Sequence, residues 1–224
     1  MYSNLSAIPA PHVPEQVQPN QIKVTGEGSL SVAPDKTTIV LGAVTENTSL
    51  VTAQQENAAA VTQIVNSLVK LGIPKEHIQT VDYNVQMQYD FVEGKQIFRG
   101  YKVTHMLQIT VDQVDMTGVV VDTAVSNGAN TVSNIQFSVA HPELYYNQAL
   151  SLAIRNGHQK AMTIATTLGV VLNRYPRVVQ EQSRAQEPVP FSTVMYAQAS
   201  TTTTPILAGQ LTIKAAVTIE YSFH

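Results

Sequence analysis

Cysteine and tryptophan are both absent from these 224 residues. Without cysteine there is no disulfide framework, no thiolate metal site and no cysteine nucleophile, although cysteine-free chains occur in every redox compartment. Charge is scarce as well: Asp, Glu, Lys and Arg make up 13% of the chain, about half of the roughly 25% usual for soluble domains. Its polar surface must therefore be built largely from Gln, Asn, Thr and Ser. The 13 basic and 16 acidic side chains leave a net charge of -3, which offers no positive field to a phosphate backbone or an anionic leaflet, so nucleic acid is not expected as a partner. No apolar run approaches the roughly 18 residues of a membrane span, and no transmembrane segment is expected. The first positive side chain is Lys23; as the sequence stands it shows no basic n-region or apolar h-region, and it reads as cytoplasmic.

What is present is enough apolar material, 44% of the residues, to fill one or two ordinary cores. Residues 1–20 carry Pro9, Pro11, Pro14 and Pro19, which deny them helix and ladder, so they read as an extended arm. Residues 21–224 read as one α+β domain with a long excursion at 183–208, where Pro188, Pro190, Pro205 and the threonine run 201–204 interrupt the pattern. Alternation of period two, the mark of a strand with one buried face, is clean in four segments. Ile22, Val24, Gly26, Gly28, Leu30 and Val32 share one register; so do Val81, Tyr83, Val85, Met87, Tyr89 and Phe91; then Tyr101, Val103, His105, Leu107, Ile109 and Val111; and last Leu211 to Phe223. Residues 36–45 are apolar in both registers, as a central strand would be.

Three helices separate the strands, each with apolar positions three or four apart. The first carries Ala53, Asn57, Val61, Ile64, Val65 and Leu68 between an N-cap at Ser49 and a stop at Gly72. A second carries Val119, Val120 and Ala124 and stops at Gly128; the third carries Leu150, Ala153, Ile154, Gly157, Ala161, Ile164, Ala165 and Leu168 and stops at Gly169. Each glycine stands just before a strand pattern, which gives three strand-helix-strand units. The expected fold is α+β: a mixed, largely antiparallel sheet with helices on one face and a Gln, Asn and Thr-rich face opposite.

Reactive constellations are hard to find. Gly26-Glu27-Gly28 lacks the third glycine of a dinucleotide fingerprint and lies inside a strand pattern, so it reads as a bulge or a close backbone approach. No Walker, His-Glu-x-x-His or Gly-x-Ser-x-Gly sequence occurs. The histidines at 12, 77, 105, 141, 158 and 224 have no metal-ligand spacing, and neither a metal nor a cofactor is expected. His105 alone sits in an apolar register, and burial there would keep it neutral; it is the candidate buried titrating group. His141 and His158 read as surface positions. Asp82, Asp90 and Asp112 read as strand-edge charges, and Tyr83, Tyr89, Tyr101 and Phe91 as core filler beneath the helices.

In order along the chain, Val24-Thr25-Gly26-Glu27-Gly28 with Val32-Ala33-Pro34-Asp35, Leu71-Gly72-Ile73-Pro74 with Ile78-Gln79-Thr80, Gly100-Tyr101, Gly128-Ala129-Asn130, Phe137-Ser138-Val139 and the closing segment Gly209 to Phe223 resemble the SIMPL-domain family, which includes the bacterial periplasmic immunogenic proteins. The resemblance runs from about Gln21 to Phe223. It implies an α+β fold, homo-oligomeric ring or barrel-like assemblies, export in Gram-negative bacteria and a link to oxidative-stress tolerance, and it supplies no catalytic residues to carry over.

The leading expectation is a non-enzymatic, self-assembling protein with a stress- or envelope-associated role, a homo-oligomer such as a ring, with the protein partner unknown. Its candidate interface is the uncharged face of Gln86, Gln88, Thr104, Gln108 and Thr110, since interface cores are depleted of charge. The family resemblance makes an exported location the alternative to a cytoplasmic one. The competing expectation is a small-ligand binder or enzyme with a pocket between sheet and helices or between subunits, centred on His105. A membrane-inserting barrel has no support in outward apolar bands or aromatic girdles.

Overall fold

The structure, a computed structural model, describes residues 20–182, 189–191 and 203–224. Its elements are β1 (Gln21–Val32), β2 (Lys36–Asn47), α1 (Leu50–Leu71), β3 (Ile78–Val92), β4 (Lys95–Val111), α2 (Thr117–Ser126), β5 (Thr131–Ser138), α3 (Pro142–Leu168), β6 (Val178–Glu181), β7 (Val189–Phe191) and β8 (Gln210–Ser222). The proline arm at 1–20 falls outside the described residues except for Asn20, as does most of the excursion at 183–208.

The class is α+β, and the strands divide between two sheets. One has the order β1-β8-β6 with β7 also on β8; the other has the order β3-β4-β2-β5. The pairs β2/β4, β2/β5, β3/β4, β6/β8 and β7/β8 are antiparallel. Alternation reveals which residues share a face but not which strands are neighbours, so it does not reveal the division into two sheets. The described residues separate into two compact units, one drawn from 20–28, 150–182 and 216–224, the other from 29–149, 189–191 and 203–215.

In the second unit β2 lies between β4 and β5, as its two apolar registers require. Ile39 stands opposite Ile109 and Leu41 opposite Leu107, and with Val61, Ile64 and Leu68 of α1 and Val120 and Ala124 of α2 they form the core. Helix α1 follows from its sequence: the Ser49 side chain accepts a bond from Thr52 N, apolar residues fall every three or four positions, and Gly72 ends it at φ 103°. Gly128 and Gly169 follow α2 and α3, at φ 109° and 71°. Asn57 is buried in the middle of the stripe on α1 and donates through Nδ2 to the carbonyls of Ala43 and Val103, at 2.9 and 3.3 Å. It fastens the helix to β2 and β4 at once.

Strand β3 departs from expectation. Tyr83, Tyr89 and Phe91 do not fill the core; they are exposed, and Tyr101 is half-buried. β4 pairs with β2 only between Tyr101 and Val111, so Lys95 to Gly100 are backed by β3 alone. The two strands continue as a two-stranded arm. The arm closes in a two-residue turn with Glu93 at φ 50° and Gly94 at φ 78°, the double positive φ of the hairpin turn whose twist matches its strands. Apolar alternation identified the face of β3 correctly, but alternation does not say whether a helix lies over it. The helices reach β2 and β4.

In the first unit α3 packs through small residues. Ala153, Gly157, Ala161 and Ala165 are buried at four-residue steps, whereas Ile154, Ile164 and Leu168, read as part of the stripe, are exposed. A Cβ on Gly26 would run into the Ala153 carbonyl oxygen and would stand 2.7 Å from Gly157 N. Gly26 thus marks a close backbone approach, one of the two readings of the Gly-Glu-Gly sequence. Asn156 Oδ1 accepts from Glu27 N at 3.1 Å, and Lys23 pairs with Glu220 at 2.8 Å.

Candidate functional site

His105 lies on β4 directly opposite Tyr83 of β3 and Ala43 of β2. It is half-buried, where the register alone implied burial. Its Nε2 is 3.0 Å from Thr80 Oγ1, and its ring meets the Tyr83 ring edge-on at a centroid distance of 5.2 Å. Gln54 of α1 donates to the Tyr83 hydroxyl at 3.2 Å. Burial removes water from the imidazole and lowers its pKa from the ordinary value. A hydroxyl and an aromatic ring make a structural setting for a neutral histidine; neither orients it as a carboxylate orients a general base.

The sign of the consequence follows from linkage. A histidine whose folded pKa is depressed binds fewer protons in the folded state than in the unfolded one, so stability falls as pH drops below the ordinary value of about 6.5 and levels off below the folded pKa. His105→Gln, which keeps a polar group near Thr80, is expected to flatten that part of the profile. Melting temperature followed from pH 8 to pH 5 in both proteins checks this; parallel profiles would show that His105 does not titrate with unfolding.

The other expected residues come together on one face. Thr104 stands opposite Asn84 and Val44, Gln108 opposite Gln79 and Val40, Thr110 opposite Thr38, Gln86 opposite Lys102 and Gln88 opposite Gly100. By register this is the face away from the core residues Ile39, Leu41, Leu107 and Ile109. Gln86 is exposed and the other four are half-buried. These five residues therefore share one face, and Lys102 and Asp82 stand on it with them.

A second surface was not anticipated. On the core-side register of β3 and of the arm it continues into, Tyr83 is 50% exposed, Val85 38%, Met87 58%, Tyr89 40%, Phe91 75% and Phe98 43%. Phe98 stands opposite Tyr89 and meets it edge-on at 5.9 Å, with Tyr101 at 5.2 Å on its other side. Aromatic rings are thus stacked along a strand pair with one side bare. The sequence signal was the excess of large apolar residues on an edge strand, legible only once the strand order is known.

The acidic residues behave as strand-edge charges. Asp112 approaches Lys36 and His77 at 3.6 and 3.7 Å, and Asp90 approaches Arg99 at 4.0 Å. His141 faces Glu143 on the surface at 3.5 Å. His158 carries more than a surface role: its Nδ1 lies 2.9 Å from the hydroxyl of buried Tyr221, whose pKa is raised by burial. A tyrosine in the buried register of β8 needs a partner for its hydroxyl, and that need was the available clue. Asp122 accepts from both the backbone N and the hydroxyl of Thr204, which holds its carboxyl below the ordinary value. A shallow groove of about 650 Å³ lies open on the first unit, and Gln159, Lys160, Thr163 and Ile164 on its wall are exposed side chains. Among the described residues no group of three or more His, Asp or Glu is placed to hold a metal ion, and no helix is long and apolar enough to cross a membrane.

These features define an α+β protein with a helix-covered antiparallel sheet, an amide-rich face and an exposed aromatic arm. The pattern of the SIMPL family, described as a protein of unknown function (DUF541), matches residues 22–221, and the chain belongs to that family. Among its relatives is a protein of Brucella melitensis biotype 1 named 26 kDa periplasmic immunogenic protein, 28% identical over 213 residues, which are 91% of this chain and 85% of the relative. Two others are named uncharacterized protein YggE. That of Edwardsiella ictaluri is 27% identical over 195 residues, 87% of this chain and 80% of the relative; that of Escherichia coli K12 is 27% identical over 144 residues, 64% and 58%.

Proposed function

We propose that this protein is a non-enzymatic, self-assembling component of the bacterial cell envelope that works through contacts between copies of itself and a further protein partner. One observation carries the reading: the bare aromatic face of the β3–β4 arm. At the 150–250 Å² a buried aromatic side chain contributes, the uncovered parts of Tyr83, Tyr89, Phe91 and Phe98 leave on the order of 400 Å² of ring surface in water. Val85 and Met87 extend that surface, which places it in the range where a contiguous apolar patch marks an interaction site. The low charge of the chain supports assembly, because self-repulsion between copies is small, and the amide face of Gln86, Gln88, Thr104, Gln108 and Thr110 is the second surface we assign to contacts. The Brucella relative's name supports an exported location, and the absence of cysteine is compatible with it. A stress-associated role is the one the family resemblance implies.

The test is the doubly substituted Tyr89→Ser/Phe91→Ser protein. Both side chains are exposed on the arm, so circular dichroism and melting temperature are expected to stay within a degree or two of the unaltered protein, while light scattering shows a smaller particle. An unchanged mass for the variant would remove the aromatic face from the reading.

A further inference from the structure

β3 is also an edge: among the described residues no strand pairs with its outer side. It stands last in the order β3-β4-β2-β5, and none of its 15 residues is proline, glycine or lysine. Proline and lysine are among the devices by which proteins keep edge strands from pairing, and the charges β3 does carry are Asp82 and Asp90. Its single bulge lies at Thr80/Asp82; from Asp82 to Val92 the strand carries no extra residue, the second irregularity of the ladder falling on β4. Eleven residues, about 37 Å of strand at ~3.4 Å each, thus present a backbone edge that no described strand pairs.

Resting on the self-assembly reading, we propose that this edge takes the same edge of a second copy, antiparallel about a two-fold axis, so that two four-stranded sheets become one of eight strands. The sequence of β3 is self-complementary in that arrangement. A two-fold axis perpendicular to the sheet keeps each face on its own side, so odd-numbered residues meet odd and even meet even. With the axis at Met87 all eleven residues pair: Phe91 meets Tyr83, Tyr89 meets Val85, and Met87 meets its own copy on the apolar face. On the other face Gln86 meets Gln88 and Asn84 meets Asp90. Charge selects against one neighbouring register, because an axis at Gln86 would set Asp82 against Asp90 twice, and like charges directly opposite destabilise a strand pair; the other, with its axis at Gln88, leaves Asp82 and Tyr83 of the eleven without a partner. A second copy is the occupant these contacts fit: edge pairing joins the two backbones and sets the flanks of the facing side chains together, while the two apolar faces come to lie side by side.

The absence of cysteine makes the test clean. Met87→Cys places one thiol per chain at the axis, where directly opposite Cβ atoms approach within disulfide reach. Gln55→Cys, on the exposed side of α1, is the control. Under mild oxidation at equal concentration, Met87→Cys is expected to form covalent dimer at least tenfold faster than the control; a rate no faster than the control overturns the pairing. Val85→Lys, which installs the missing edge lysine, is expected to lower the native mass of the assembly with the melting temperature unchanged. If the unaltered protein is oligomeric but the lysine variant keeps its mass, the β3 edge is wrong and self-assembly stands. If the unaltered protein is a single chain, both fall.

Discussion

Gly26→Ala is expected to lower the stability of the first unit by about 3 kcal/mol, the upper part of the range for forcing an extra methyl into a packed site. The methyl would meet the Ala153 carbonyl, Gly157 N at 2.7 Å and Gly157 Cα at 2.9 Å. All three are backbone atoms, so no side chain can turn aside. α3 would have to withdraw from β1, and with it the buried Ala153, Gly157, Ala161 and Ala165 would lose contact together. The side facing Gly157 is no roomier: a Cβ there would lie 2.7 Å from Ile219 Cδ1 and 3.3 Å from Gly26 Cα. For a chain of this size the loss corresponds to a fall of roughly 10 °C in melting temperature. Scanning calorimetry is the right measurement, because two compact units need not unfold in one step. A shift of less than 2 °C would show that the strand and helix are not held at this distance.

Asn57→Asp is expected to cost as much or more, in the second unit, with a dependence on pH that a steric defect would lack. The amide nitrogen donates to the carbonyls of Ala43 and Val103, and the residue is 1% exposed. An ionised carboxylate there removes the donor, sets acceptor against two acceptors and buries an unpaired charge, which costs several kcal/mol. Burial and the facing carbonyls raise the folded-state pKa of the introduced carboxyl, because its protonated form alone has a hydrogen to donate. The variant is therefore most stable below the ordinary aspartate range and loses stability as pH rises through its folded-state pKa. Urea midpoints at pH 4 and pH 7 check this. Asn57→Leu, which leaves the two carbonyls without the donor but adds no charge, is expected to show a smaller loss that, measured against the unaltered protein at each pH, is the same at both.

Much of the architecture is visible in the residues. Ile22, Val24 and Val32 in β1 and Leu211 to Tyr221 in β8 are buried in the expected register, β2 is central, and the glycines at 72, 128 and 169 end the three helices. These features are local: a period of two, a cap, a residue free to take positive φ. The missing features are relations between distant segments. Nothing within β3 itself says that it is an edge strand, so its aromatics read as core when they are bare. The large residues of α3 read as its buried stripe because size usually follows burial, yet the closeness of Gly26 and Gly157 makes small residues the contact. His158 is exposed, as its reading as a surface position has it, but its bond to Tyr221, 63 residues away, is invisible in the sequence. At the candidate site, alternation placed Gln86, Gln88, Thr104, Gln108 and Thr110 on one face; the adjoining apolar face of the same strands required the strand order.

The central claim is that copies of this chain cover one another's exposed arms. Native mass spectrometry of the unaltered, full-length protein at low micromolar concentration tests it most directly. The account predicts a defined multiple of the 24.3 kDa chain mass, even in number if the β3 edges pair; a single species at 24.3 kDa that persists as the concentration is raised would contradict it.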